Sequence, residues 1–376
     1  MRRLFSVLLL FLLLSCLLFL PAAASGEDPG SPLADALPDQ IRSALPGDVL
    51  EELEKGEDAD PGVLSSLLGG TFLPELLRKG LSDALSPFLR TVGCSAGLVL
   101  LSSLVGLLSG ALGGDGGKPM QYCVTLLLSV SVWKLLGEAI ALTTDALTSA
   151  VVFLRALLPT MLTLYAAGGN LSAAASEEGM LLLFFEGISF LCSGLLLPLV
   201  RLLFVMAVLT RLSPENDLSG LAGAIRKCFL TSITFLSMLL GLVLGIQHTL
   251  AARADGVLTR TVRFASSTLI PVVGGRASEA MRTAMASVTY LRSAVGGVGT
   301  AGILVLLLSP LLRLFVWKAG FSLASGIAGA LGCPSERAFF GEACGILDLA
   351  IGLLTLSGLV LLFALSLLIH TAAALG

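Results

Sequence analysis

A lysine and a glutamate four residues apart are the first residues in this chain whose types and spacing suggest chemistry. Lys134 and Glu138 lie in an apolar stretch, and their spacing places both side chains on one face of a helix. Charged side chains are rare within a bilayer, where they usually face each other or water. Two interpretations follow: the two charges neutralise each other, or they line a polar pathway.

Other charged residues also lie in or near apolar stretches. They are Arg155, Glu186, Arg201, Arg313 and Asp348. For Arg201 and Arg313 we favour side chains that extend to a membrane interface over a role in a pore, because long basic side chains can keep their charge in water while their stems lie in lipid.

The sequence contains no arrangement typical of an enzyme, a metal site or a cofactor site. Its two histidines, His248 and His370, are isolated, and no two of its seven cysteines form a Cys-x-x-Cys pair. The glycine-rich segment 113–118 continues as Lys-Pro, whereas a phosphate-binding loop continues as Lys-Ser or Lys-Thr. We therefore expect no catalytic residues, no metal, no cofactor and no nucleic-acid partner.

The composition indicates the elements that must position these residues. Of the 376 residues, 55% are hydrophobic and 13% are charged, with a mean hydropathy of +0.95. Soluble domains carry roughly 25% charged residues. Because backbone groups in lipid must be hydrogen-bonded within the protein, the sequence predicts an all-α, polytopic helical membrane protein.

A membrane-spanning helix needs about 20 mainly apolar residues, which predicts about seven spans. The predicted spans are 92–112, 120–142, 146–167, 180–209, 228–247, 297–317 and 346–373. Residues 320–332 are apolar but too short to cross, so they are expected to be re-entrant or interfacial. Together these segments form a predicted membrane domain over residues 91–376.

The N-terminal region differs from the rest of the chain. Residues 1–24 combine two arginines, a long apolar run and an Ala-x-Ala site, which predicts a secretory signal peptide; an uncleaved anchor is the alternative. Residues 25–90 hold 13 of the 26 acidic residues. We expect this acidic segment to be helical and to lie outside the cytoplasm.

Three pairs of residues share one sequence offset of 112. They are Pro159 and Pro271, Pro198 and Pro310, and Arg201 and Arg313. This offset predicts an internal repeat with units at about 150–210 and 262–322, inverted in topology and built on Pro-kinked helices, as in many transporters. The alternative is that Leu-Pro pairs recur because leucine is abundant.

Three short segments resemble the stage III sporulation protein AE family of endospore-forming bacteria. They are Ala-Leu-Leu-Pro at 156–159, Tyr-Ala-Ala-Gly-Gly-Asn at 165–170 and Leu-Ile-Pro-Val-Val-Gly-Gly at 269–275. They follow the predicted export signal and acidic segment in the order the family shows. The resemblance covers most of residues 70–376.

The resemblance implies a non-enzymatic membrane subunit of a transenvelope complex that joins the mother cell to the forespore. Such an assembly resembles secretion systems and is thought to act as a channel that sustains forespore development and late forespore transcription. The implied partners are other membrane subunits, including an ATPase subunit, and the lipid bilayer. The implied location is the mother-cell membrane surrounding the forespore, with residues 25–90 in the intermembrane space. The alternative is a stand-alone secondary transporter built on the inverted repeat.

Overall fold

The computed structural model describes residues 72–112, 117–167, 197–212, most of 220–246 and 274–370, with isolated positions between 187 and 195. Regular structure in these ranges is entirely helical, as the predicted all-α class requires. In chain order the helices are α1 Phe72–Leu112, α2 Gly117–Ala167, α3 Leu197–Leu212, α4 Gly220–Val243, α5 Gly274–Ala330 and α6 Pro334–His370. The predicted signal peptide and residues 25–71 of the acidic segment lie outside the described residues.

Five of these segments are long and apolar enough to cross a bilayer. They are Phe88–Leu107, Leu126–Leu164, Gly220–Val243, Val295–Ala330 and Pro334–Leu365. Most of residues 180–196, the first part of the predicted span 180–209, lie outside the described residues, so the predicted total of seven stays a prediction.

Two predicted interruptions between apolar segments are not observed. The predicted spans 120–142 and 146–167 form one continuous helix, α2, and residues 320–332 belong to the end of α5 and its turn rather than to a re-entrant segment. Pro159 and Pro310 lie inside α2 and α5, which continue through them. At 51 residues, α2 is about 77 Å long. This length exceeds the thickness of the hydrocarbon layer, about 30 Å, so part of α2 extends beyond the layer that it crosses.

Helices α5 and α6 form a central antiparallel hairpin that the other helices surround. In their apolar segments, 83% of α5 and 72% of α6 is buried inside the protein, against 24% for α1 and 12% for α4. Contacts between α5 and α6 run in opposite directions along the chain, from Ser325 with Arg337 to Gly299 with Leu365. The outer helices instead expose large apolar side chains, such as Leu104 of α1 and Met238 of α4.

The turn between α5 and α6 is short because one glycine adopts a left-handed backbone conformation. Gly332 has a φ of 70°, which only glycine adopts without a steric penalty. The amide of Cys333 donates to the carbonyl of Ala328 and the amide of Gly332 to that of Gly329, which is the Schellman pattern of helix ends. Pro334 then occupies the first position of α6, where its missing N–H leaves no hydrogen bond unmade.

Small residues allow α2 to approach the hairpin closely. A Cβ atom on Gly302 of α5 would lie 2.7 Å from Cζ of Phe153, and one on Gly299 would lie 3.0 Å from Cδ2 of Leu157. Gly299 and Gly302 are one turn apart, as are Phe153 and Leu157, so the two helices interlock over this stretch. At the opposite end of α2, the ring of Trp133 packs against Phe204 of α3 with centroids 4.8 Å apart.

Candidate functional site

Helix α6 carries three acidic residues at equal spacing, and each contacts a different helix. Glu336, Glu342 and Asp348 are six residues apart, so successive side chains are rotated by about 240° around the helix axis. Three such positions point in three directions about 120° apart. Their partners are Ser102 of α1, Arg226 of α4 and Lys318 of α5 respectively. Helix α6 therefore supplies the acidic partner in each of these three contacts between helices.

The first of these contacts is the ion pair within the central hairpin, between α5 and α6. Nζ of Lys318 donates to Oδ1 of Asp348, and the two side chains are only 15% and 28% exposed. Asp348 is 16 residues beyond the turn residue Gly332, about 24 Å along the helix, so the pair lies near the middle of the apolar segment of α6. Charges at such a position are tolerated only when they are paired or reach water.

The second contact joins α4 to α6 through an arginine that lies against the helix backbone. Nη2 of Arg226 is 2.5 Å from Oε2 of Glu342. A Cβ atom on Gly345 would lie 1.2 Å from Nη1 of the same guanidinium, so Arg226 occupies the space that any other residue at 345 would fill. Gly345 lies three residues from both Glu342 and Asp348, so the guanidinium meets the backbone of α6 at a position between these two acidic residues in the sequence. One turn further along α4, Leu230 likewise fills the space above Gly352.

The third contact lies in the first turn of α6. Glu336 is buried and accepts a hydrogen bond from Oγ of Ser102. An acidic side chain in a first turn also interacts favourably with the free N–H groups of the helix start. This contact anchors α1 to the turn end of the hairpin.

An open groove of about 840 Å³ lies between α4 and α6 and includes two of the three acidic residues. Its polar residues are Arg226, Lys227, Thr231, Thr234, Glu342 and Asp348. Leu230, Phe235 and Met238 supply its apolar part. The groove thus places the Arg226–Glu342 ion pair and the carboxylate of Asp348 beside an apolar wall, an arrangement suited to binding a charged or amphipathic ligand. In the described parts of the chain, no three His, Cys, Asp or Glu side chains are grouped as metal ligands.

The structure places the predicted polar residues of α2 and α3 outside this groove. Lys134 and Glu138 are both exposed, and no ion pair joins them in the described structure. Pro159 is exposed within α2, whereas Pro198 and Arg201 are exposed in the first turns of α3. A polar pathway lined by Lys134 and Glu138, helix kinks at Pro159 and Pro198, and an interfacial position for the side chain of Arg201 stay predictions.

The remaining predicted positions divide between the hairpin and the part of the chain that is not described. Pro310 is buried within α5, and Arg313 is half-buried. The Nε atom of Arg313 is buried and has no hydrogen-bond partner among the described residues. Glu186 and Pro271 lie outside those residues, and the predicted repeat with its offset of 112 residues stays a prediction.

The predicted residues did not include most of the charges that the fold brings together. Asp348 was among the candidates, but Arg226, Lys318, Glu336 and Glu342 were not. The available signal was the six-residue spacing of three acidic residues at the start of a strongly apolar helix. Residues six apart do not contact each other on one helix, whereas residues three or four apart do, and no known motif has this spacing. The function of the three acidic residues is therefore visible only once the neighbouring helices are packed around α6.

Comparison with known proteins gives one consistent result. A family model described as stage III sporulation protein AE matches residues 90–373, a range that holds all of α2 to α6 and every residue of the groove. The stage III sporulation protein AE of Bacillus subtilis (strain 168) is 26% identical over 212 residues, which are 56% of this chain and 52% of that protein. The chain thus spans about half the length of this curated relative. No solved structure matches the chain.

Proposed function

The chain belongs to the stage III sporulation protein AE family, and we propose from this premise that it is a membrane subunit of the complex that links mother cell and forespore. The family supports a role in sporulation. In this proposal the complex forms a transenvelope, secretion-like channel that sustains forespore development and late forespore transcription, and the chain is one of its membrane subunits. The observation that carries it is the family match over residues 90–373, the same range that contains the apolar helical bundle.

In this proposal the chain is a multi-pass protein of the mother-cell membrane around the forespore, with residues 25–90 in the intermembrane space. Five apolar helices support membrane insertion, and the exposed apolar side chains of α1 and α4 suit contact with lipid or with other subunits. Its role is structural and not enzymatic. Its proposed partners are other membrane subunits and an ATPase subunit that drives the assembly.

Co-purification from sporulating cells tests the proposal. The full chain with a C-terminal tag is expressed from its own promoter, extracted in mild detergent and captured, and the bound proteins are identified by mass spectrometry. We expect several membrane proteins and an ATPase to co-purify from sporulating cells but not from vegetative cells that express the same tagged chain. A chain that purifies alone from both would overturn the proposal.

A stand-alone transporter is the second candidate, and the open groove lined by the Arg226–Glu342 ion pair and by Asp348 favours it. Ion pairs beside an accessible cavity are found in proton-coupled transporters, where a carboxylate binds and releases the proton. The purified chain in liposomes would then move protons down an imposed gradient, reported by an entrapped pH-sensitive dye. Asp348→Asn should abolish this flux, whereas liposomes as tight as protein-free ones would exclude proton-coupled transport.

A further inference from the structure

One face of α2 carries every charged residue of its apolar segment. Leu126–Leu164 is long and apolar enough to cross a bilayer, yet it contains four charged side chains. They lie on one line along the helix, whose members alternate in spacing between four and three residues, close to the 3.6 residues of a helical turn. The exposed residues on this line, which we call the α2 stripe, are Lys134, Glu138, Ala141, Asp145, Thr148, Val152, Arg155 and Pro159.

The opposite face of α2 is apolar and packs against the protein. Leu136, Leu147 and Leu154 lie on that face and are buried. A polar outer face with an apolar inner face is the pattern of a helix at the surface of a water-soluble protein. The outer face of α1 differs, since it exposes Leu100 and Leu104, which suit contact with lipid. The α2 stripe therefore requires a polar environment, although it belongs to a segment that can cross a bilayer.

Asp145 lies within the crossing wherever the bilayer is placed along this segment. The segment has 39 residues with Asp145 at its centre, and a crossing takes about 20, so a crossing at either end still includes Asp145. Its short side chain cannot extend to a membrane surface as a lysine or an arginine does. Asp145 is exposed and forms no ion pair with a described residue. Because a charge facing lipid is costly, Asp145 indicates that water reaches the stripe.

We propose that the α2 stripe faces water within the bilayer and forms one wall of a pathway for small polar solutes without net charge. This inference rests on the proposed role in a transenvelope channel, and it assigns a wall of that channel to α2. Two of the charged residues of the stripe are basic and two are acidic, so the wall favours neither cations nor anions. Between Asp145 and Arg155, Thr148 adds a hydroxyl that can bind a polar solute. One helix face cannot enclose a pathway, so other subunits supply the remaining walls.

Cysteine labelling in membranes from sporulating cells tests the proposal. Asp145→Cys and Thr148→Cys are introduced separately into the full chain, and mass spectrometry reads the modification of each site, so the native cysteines stay in place. One reagent is a small charged methanethiosulfonate, and the other is a maleimide attached to a long polyethylene glycol. We expect both cysteines to react with the small reagent and neither to react with the large one, because a narrow pathway admits only the first.

Two results would overturn the proposal. Reaction with both reagents would place the stripe in open water outside the bilayer, and reaction with neither would show that lipid or another protein covers it. Thr148→Cys keeps the size of its side chain, so it tests the stripe even where Asp145→Cys lowers the amount of chain in the membrane. At Thr148→Cys, cationic and anionic methanethiosulfonates should react equally after each rate is divided by that reagent's rate with a free thiol in water. A preference for either sign would overturn the proposed class of solute.

Leu104→Cys is the matched control, since Leu104 is 63% exposed on the apolar outer face of α1. Its thiolate, the reactive form, is disfavoured in lipid, so it should react with the small reagent at least about tenfold more slowly than the stripe cysteines. All three cysteines should react once detergent dissolves the membrane. A Leu104→Cys variant that reacts as fast as Thr148→Cys in the membrane would overturn the proposal.

The labelling result and the co-purification result can be separated. A labelled stripe in a chain that purifies alone would support the pathway and remove the complex. An unlabelled stripe in a chain that co-purifies with other subunits would remove the pathway and leave the complex.

Discussion

The central hairpin and the outer helix α2 each carry a lysine and a carboxylate in an apolar stretch, but only the hairpin joins its charges. Lys318 and Asp348 lie on different helices and form a largely buried ion pair. Lys134 and Glu138 lie on one helix at a favourable spacing, yet both are exposed and form no ion pair in the described structure. The difference shows that burial between helices, rather than spacing along one helix, decides which charges pair.

The exposed charges of α2 also fit its length. A helix of about 77 Å extends beyond a hydrocarbon layer of about 30 Å, so part of it must lie in a polar environment. Charged side chains are favourable there without a partner. In the hairpin the surrounding helices cover most of the Lys318 and Asp348 side chains, and an unpaired charge there would be costly. A charged residue in the hairpin therefore needs a counter-ion, whereas a charged residue on the exposed face of α2 does not.

The largest expected effect comes from breaking the buried pair. Lys318→Met leaves the Asp348 carboxylate without its counter-ion and should lower the free energy of unfolding by about 3 kcal/mol. The measurement is unfolding by dodecyl sulfate in mixed micelles, followed by circular dichroism. The double variant Lys318→Met with Asp348→Leu removes both charges and should recover most of the loss. A single variant as stable as the unmodified chain would show that the pair does not stabilise the hairpin.

The next effect concerns the surface where the hairpin meets α2. Gly302→Ala places a methyl group 2.7 Å from Cζ of the buried Phe153 ring, so the helices must separate or the ring must move. We expect a loss of about 1–3 kcal/mol in the same unfolding assay. Gly326→Ala is the control on the same helix, because no atom lies within 4 Å of its added methyl group. If both variants were equally stable, the close packing of α2 on α5 would be disproved.

A smaller effect should follow from displacing the arginine that joins α4 to α6. Gly345→Ala fills the space of the Arg226 guanidinium and should cost about 1–2 kcal/mol, the value of a hydrogen bond to a charged group. Gly341→Ala, one turn away with open space around it, should be neutral. If the ion pair is the cause, adding Glu342→Gln to Gly345→Ala should bring little further loss. Additive losses would assign the effect to packing instead.

The smallest effect is expected on α2. Lys134→Gln and Glu138→Gln each remove one exposed charge and should change the free energy of unfolding by less than about 0.5 kcal/mol. The double variant should equal the sum of the two single variants. A coupling energy above about 1 kcal/mol would show that these two residues do interact, and the contrast between α2 and the hairpin would then be lost.

The helical class of this protein could be predicted from its sequence, because long aliphatic stretches in lipid have no alternative to helices. The boundaries of the helices could not be predicted in the same way, because a charged residue interrupts an apolar stretch of the sequence without ending the helix. The predicted span 297–317 ended one residue before Lys318, although α5 continues to Ala330. A partner on another helix makes that lysine tolerable. The sequence does not show that partner, because pairing depends on how the helices pack.

The same reason kept most of the candidate site from being predicted. Arg226 and Glu342 are 116 residues apart, and Ser102 and Glu336 are 234 apart, so no local pattern connects them. Gly345 is one of 42 glycines and has no distinguishing neighbours in the sequence. Its importance follows only from the guanidinium that lies against it. Asp348 was recognisable because a lone carboxylate in a strongly apolar stretch needs a partner.

The placement of all three acidic residues on α6 has a consequence for biosynthesis. The ribosome makes Ser102, Arg226 and Lys318 before any of their partners, and the turn at Gly332 lets Lys318 meet Asp348 after only 30 further residues. A chain interrupted before Pro334 would present two cations to the membrane without counter-ions. Helix α6 therefore completes the bundle when it is translated.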